Sequence, residues 1–193
     1  MIAKQEARLN KHFREIDEIA LFNQEKVLNA FREEQIALRH FNGSTGYGYG
    51  DEGREKLGKV YARAFGAEAA VVSPAILSGT HALTVALFGV LRPNDKVLCI
   101  SGMPYDTIRS VIWGEGNGSL ADFGISCEVV PLTENGKVDF AAVEGALKQC
   151  SYKMVYIQRS RGYELRDAFT VDEIGAMCEF VRKKGFEDCI FVD

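Results

Sequence analysis

Ser78-Gly79-Thr80 stands where a short apolar run, Ala69–Ser73, gives way to a segment that is apolar nearly all round, Gly79–Leu91. If that segment is a helix, its first turn leaves backbone N–H groups unsatisfied and carries the positive end of the helix dipole. Gly79 admits a ligand close to the backbone, and Ser78 and Thr80 add hydroxyls. Together they suit an anion, above all a phosphate. The plainer alternative is that Ser78 only caps the helix. His81 reads as a packing residue of the first turns. No other His or Cys stands at metal-ligand spacing, so no metal site is expected.

Three more groups stand directly after apolar runs. In Ser101-Gly102-Met103-Pro104-Tyr105-Asp106-Thr107 the ring of Tyr105 can stack on a planar ligand and offer its hydroxyl at the edge, or simply cover a loop. In Gln158-Arg159-Ser160-Arg161-Gly162-Tyr163 two arginines and a serine suit a carboxylate or a phosphate, with solvated loop charges as the alternative. Asp193 ends the run DCIFVD, and a carboxylate at the end of a buried strand needs a partner to stay charged.

A fourth group lies in the glycine-rich stretch HFNGSTGYGYGDEG, residues 40–53, which cannot hold a regular helix. Tyr47 and Tyr49, with Arg54 at the next helix start, can present hydroxyls and a guanidinium to an anion. Gly48, Gly50 and Gly53 spell G-x-G-x-x-G, but a dinucleotide fingerprint must follow a strand, and RHFNGST is not one.

These groups need elements to hold them. Leu57, Val60, Tyr61, Ala64 and Phe65 mark a helix that Gly66 ends. Beyond it, apolar runs at Ala69–Ser73, Lys96–Ser101, Cys127–Leu132, Met154–Gln158 and Cys189–Asp193 alternate with helical patterns. Those helices fall at Gly79–Leu91, Tyr105–Ile112, Phe140–Lys148 and Val171–Lys184, the last opened by a Thr170/Glu173 capping box. Short strands that are apolar throughout belong to a parallel sheet covered on both faces, so the expected fold class is α/β with right-handed crossovers. Ahead of all this, Leu9, Phe13, Ile16 and Ala20 form one helical stripe. Val27, Ala30, Phe31 and Leu38 continue it through a second stretch, giving an amphipathic arm that packs on its own domain or on a partner chain.

Composition narrows the function. The 193 residues carry 23 Lys+Arg against 27 Asp+Glu, a net charge of −4, with 47% hydrophobic residues, which is an ordinary globular balance. The charge gives no footprint for nucleic acid, and no apolar run is long enough to span a membrane. Five cysteines without C-x-x-C spacing, and an amino end without a signal-peptide core, point to reduced thiols and a cytoplasmic setting.

Taken together, GYGYGDEGREKLGKVYARAFGAE, SGTHALTVALFGVLRPNDKVLCISGMPYDT, IQRSRGY and the closing FVD resemble the pyridoxal-phosphate enzymes of aspartate-aminotransferase fold. More closely, they resemble the methionine gamma-lyase-like family also labelled aluminium resistance protein. The resemblance implies a three-layer, mostly parallel sheet of the large domain, incomplete at the carboxyl end, with residues 1–40 as a helical arm and 41–193 as the first part of the cofactor domain. It implies that Ser78, Gly79 and Thr80 hold the phosphate of pyridoxal 5'-phosphate and that Tyr105 stacks on the ring and serves catalysis as an acid. Asp193 would pair with the ring nitrogen, Arg159 or Ser160 would lie near the phenolic edge, and Tyr47, Tyr49 and Arg54 would reach a neighbouring subunit's phosphate.

The same resemblance implies an amino-acid substrate, β- or γ-elimination at a carbon–sulfur bond, and a homodimer or homotetramer. A truncated non-enzymatic module, a pseudoenzyme or an aminotransferase-type activity are the alternatives. Arg54 stands farther from Tyr49 than the Tyr-x-Arg of related lyases requires, and Ser73 stands where close relatives are expected to carry arginine. The lysine that anchors the cofactor follows the ring-nitrogen aspartate in this fold, so the chain reads as an amino-terminal fragment. Alone it is expected to be inactive, and unstable because Ala69–Ser73 lacks a strand partner.

Overall fold

A single helix replaces the two segments expected at the amino end. In the computed structural model, which describes residues 2–44, 47 and 49–193, α1 runs Ile2–Glu33. No glycine or proline occurs before Gly43, so nothing interrupts 32 helical residues until Gln35 takes a left-handed φ of 52°. Its apolar stripe is open to solvent: Ile16 is 60% and Phe22 67% exposed. Among the described residues, only its carboxyl end is fastened to another element. There the small residues Ala30 on α1 and Val60 and Ala62 on α2 (Glu52–Phe65) are buried. The Lys56 ammonium donates to the Glu34 carbonyl at 2.6 Å, and Arg63 bonds to the carboxylates of both Glu33 and Glu34. The Arg63 hydrogen bond above all holds the Glu34 carboxyl below its ordinary range.

α2 begins as its sequence implies, with Asp51 accepting from the Arg54 amide at 3.1 Å, and ends at Gly66 with a left-handed φ of 65°. Ala69–Ser73, expected as a strand, is not one. A strand exists through its ladder, and among the described residues none runs beside it. The segment instead crosses α2, where a Cβ at Gly58 would lie 2.8 Å from the Ala70 carbonyl oxygen. These elements make up one compact unit, Met1–Ile76, and the rest of the chain makes up another, Leu77–Asp193.

The second unit holds α3 (Gly79–Val90), β1 (Lys96–Cys99), α4 (Asp106–Trp113), β2 (Ser126–Val129), α5 (Phe140–Gln149), β3 (Met154–Ile157), α6 (Val171–Lys183) and β4 (Cys189–Val192). The strands form a parallel sheet in the order β2-β1-β3-β4, with Val97 opposite Met154 and Met154 opposite Cys189. Side-chain alternation splits the core into two layers. Leu98, Val155 and Ile157 pack with Val143 of α5 and Met177 and Val181 of α6 on one face. Val97, Cys99, Met154 and Tyr156 pack with Leu87 of α3 and Ile108 and Ile112 of α4 on the other. The expected α/β class is thus realised, each strand and helix of this unit lying within a few residues of its predicted span. The crossover helix from β1 to β2 lies on one face and the next two on the other, so the direction of strand addition reverses between β1 and β3. In such sheets the ligand crevice opens outside the carboxyl ends of that strand pair.

Among the described residues no helix is long and apolar enough to cross a membrane. Among the described residues, no group of three or more His, Cys, Asp or Glu is placed to hold a metal ion.

Helix ends in this unit are fastened by charge. Lys148 and Lys184 hold the Glu144 carboxyl at about 2, against an ordinary 4.5. Lys137 and the Thr170 amide, in the predicted capping box, hold Glu173 at about 2. A carboxyl depressed in the folded state stabilises the fold fully above its ordinary pKa, and that contribution is lost as the pH falls from about 4.5 toward 2. Glu144→Gln and Glu173→Gln are therefore expected to lower the melting temperature at neutral pH. They should also flatten the loss of stability between pH 4.5 and 2, and an acid titration followed by circular dichroism with parental slope would contradict the assignment.

Candidate functional site

Three of the predicted positions meet at the crevice between β1 and β3. The chain leaves β1 through Ser101 and Gly102 and reaches Tyr105, the residue before α4. The chain leaving β3 enters Gln158, which is 2% exposed, and then Arg159 and Ser160. Gln158 ties the two loops. Its amide N–H donates to Ser101 Oγ at 2.7 Å, its side-chain carbonyl accepts from the Tyr105 amide at 2.8 Å, and its side-chain NH2 donates to the Ser160 carbonyl at 2.9 Å. A buried carboxamide bonded at both its acceptor and its donor end in this way is fixed in place. Gly162 sits so close that a Cβ there would lie 3.1 Å from that of Tyr105, and its φ of 56° suits glycine.

Asp193 follows β4 and belongs to the same edge. Its carbonyl accepts from the Arg159 amide at 2.7 Å, and its amide donates to Ile157 at 2.9 Å. One carboxylate oxygen accepts from the Tyr156 hydroxyl at 2.8 Å, while the other accepts no hydrogen bond among the described residues. The Tyr156 ring stacks on Phe191, with centroids 5.4 Å apart. Burial, and then the charge of Asp193, push the Tyr156 phenol well up, so it remains a proton donor to that carboxylate.

Ser78, Gly79 and Thr80 begin α3, which leads through the turn at 92–95 into the start of β1 and so runs against it. The amino end of α3 therefore lies toward the edge that carries Tyr105 and Asp193. Ser78 does cap the helix, its Oγ accepting from the His81 amide at 3.1 Å, and His81 closes the turn by accepting from the Leu77 amide at 3.3 Å. The amides of Gly79 and Thr80 donate to nothing among the described residues. Gly79 is exposed, its φ is not left-handed, and a Cβ there would meet no atom within 4 Å. Neither backbone nor packing demands glycine at 79, which leaves open space in front of two free N–H groups.

Tyr47 and Tyr49 belong to the other unit and are 83% and 89% exposed. The Arg54 guanidinium lies 3.4 Å from Asp51. Gly48, the first glycine of the G-x-G-x-x-G, lies outside the described residues; before the motif stands a 3-10 turn, Leu38–Phe41, rather than a strand. Tyr156 was not legible as a site residue. Its signal is a hydroxyl in the otherwise aliphatic strand MVYI, one strand over from Asp193.

A three-layer α/β unit with its polar groups gathered at a β1/β3 crevice defines the class of protein, and comparison with known proteins narrows it. The family described as methionine gamma-lyase matches residues 1–193, and the chain belongs to it. The uncharacterized protein YnbB of Bacillus subtilis (strain 168) is 45% identical over 183 residues, 93% of this chain and 43% of YnbB. A solved structure from Listeria monocytogenes str. 4b F2365, named a candidate cystathionine beta-lyase involved in aluminum resistance, is 48% identical with a TM-score of 0.92. That match covers 98% of this chain and 48% of the other. A carbon-sulfur lyase involved in aluminum resistance from Clostridium novyi NT is 43% identical with a TM-score of 0.90, covering 97% and 45%. The chain thus spans about half the length of these relatives.

Gln158→Leu should loosen both loops at once, leaving the Tyr105 amide and the Ser160 carbonyl without their partner. The expected cost is about 1–3 kcal/mol. Faster hydrogen exchange at the Tyr105 amide is the specific readout; unchanged exchange there would show that the tie is incidental.

Proposed function

We propose that these residues are the amino-terminal part of a pyridoxal-phosphate-dependent carbon–sulfur lyase acting on an amino acid. The observation that carries this reading is Asp193: a carboxylate fixed on one side by a buried tyrosine and open on the other, at the crevice of a parallel sheet. The residues present fit the cofactor. Gly79 and Thr80 offer unpaired amides and free space for a phosphate, Ser78 and Thr80 add hydroxyls, and Tyr105 would lie on the ring. Asp193 would face the ring nitrogen, and Arg159 or Ser160 the phenolic edge. Bound there, the cofactor supplies an electron sink for charge developing at the substrate's α-carbon.

The chain's own residues then orient and protonate. Tyr156 keeps its proton and donates a hydrogen bond to one oxygen of Asp193, orienting the carboxylate so that its other oxygen would face the ring nitrogen. Tyr105 would deliver its hydroxyl proton to the departing sulfur. Lys96 and Lys153, at the opposite edge of the sheet, contact Cys150 and Asp188 at 3.0 and 2.6 Å, and Lys137 is paired with Glu173 at 2.7 Å. As the family resemblance implies, the covalent anchor would lie outside these residues, and residues 1–193 alone would be inactive. On this reading residues 1–40 form an arm, 41–193 begin the large domain, and Tyr47, Tyr49 and Arg54 reach a phosphate across a homodimer or homotetramer.

Adding pyridoxal phosphate to the full-length protein should produce visible absorbance. Asp193→Ala and Gly79→Val should each weaken cofactor binding by tenfold or more, and Tyr156→Phe should weaken it less. Absorbance with parental affinity in both of the first two variants would remove the reading.

A further inference from the structure

The loop after β3 opens onto two hollows. The smaller, about 280 Å³, is lined by Tyr105, Arg109, Gln158 and Arg161 among others. The larger, about 790 Å³, lies between the turn 131–137 and the loop 161–169. Met103, Arg161 and Glu164 line both. The two hollows therefore adjoin at Arg161, so a ligand seated at Tyr105 has room to reach the larger cleft, whose size suits a small-molecule site.

The charged groups of that cleft fall into two sets. Arg166 is fully engaged: its Nε bonds to Glu164 at 2.7 Å, its terminal nitrogens donate to the carbonyls of Asp167 and Ser160 at 3.0 and 2.9 Å, and its plane lies 4.9 Å over the Phe169 ring. Lys137 is paired with Glu173. The second set is available. The Arg161 guanidinium makes one long bond, 3.4 Å to the Arg166 carbonyl. The carboxylates of Glu134 and Asp167 accept no hydrogen bond and form no ion pair among the described residues, although Asp167 feels the charge of Lys137.

One available cation and two available anions around one cleft select by charge type. A phosphate or a dicarboxylate satisfies Arg161 but is repelled by Glu134 and Asp167. A neutral methyl group pairs with none of the three and gains nothing from them. A head that carries both an ammonium and a carboxylate satisfies the whole set, the planar guanidinium taking the carboxylate in two parallel hydrogen bonds.

We propose that this cleft is a subsite for the distal, zwitterionic amino-acid head of a sulfur-linked substrate, with Arg161 binding its carboxylate and Glu134 and Asp167 its ammonium. The assignment rests on the lyase reading for what occupies Tyr105, and it selects two-headed thioethers over methionine-type substrates within that reading.

The test uses full-length protein loaded with pyridoxal phosphate, with L-cystathionine (two amino-acid heads) and L-methionine (one) as probes in calorimetric titrations. The parent protein should bind cystathionine more tightly. Arg161→Gln should cut that preference about tenfold, as expected for a lost charge-assisted hydrogen bond, and Arg161→Lys should recover part of it. The pair Glu134→Gln and Asp167→Asn should reduce the same preference from the ammonium side. No preference in the parent overturns the subsite, and so does an Arg161→Gln protein that is folded by circular dichroism yet weakens both probes equally or neither. If cofactor absorbance never forms but the Arg161-dependent preference persists, the lyase reading fails and the subsite stands.

Discussion

In a parallel sheet every strand exits at the same edge, and this shared polarity is what the rest of the molecule depends on. β1, β3 and β4 lie side by side and release Tyr105, Gln158 and Asp193 at neighbouring points although 53 and 35 residues separate them in sequence. The helices on the two faces supply the buried apolar layers that make such a sheet possible. They also return the chain to the other edge, so each new strand adds another loop to the same crevice. The polar groups of the candidate site are thereby gathered on one rim of the sheet.

Much of this was readable in the sequence because the second unit obeys local rules throughout. β1 beyond Lys96 and β3 throughout are apolar, and the Thr170/Glu173 box forms as written; in the first unit, Gly66 likewise ends its helix in the left-handed conformation. Where the sequence misled, the cause was non-local. Ala69–Ser73 has strand composition, but a strand is a relation between two segments, and composition reports only one of them. The arm reads as two stretches, one marked by Leu9 to Ala20 and a less regular one by Val27 to Leu38, yet a continuous helix through Glu33 needs only the absence of breakers.

The site was partly legible for a similar reason. Residues at loop starts, such as Tyr105 and Asp193, announce themselves by breaking an apolar run. Tyr156 does not, because its ring serves the core while only its hydroxyl serves the site, stacked on Phe191 and bonded to Asp193 at once. Gln158 likewise reads as an ordinary polar residue after a strand, and its importance emerges only when both loops are seen to hang on it.

That choice of an amide has a further meaning. Carboxyl groups gain and lose protons with their surroundings, and a ligand's own groups can do the same. The carboxamide of Gln158 does neither, presenting one acceptor and one donor end at any physiological acidity. The loops are thus joined by a link indifferent to acid and base, and the framework holds its dimensions while the groups mounted on it change their charge.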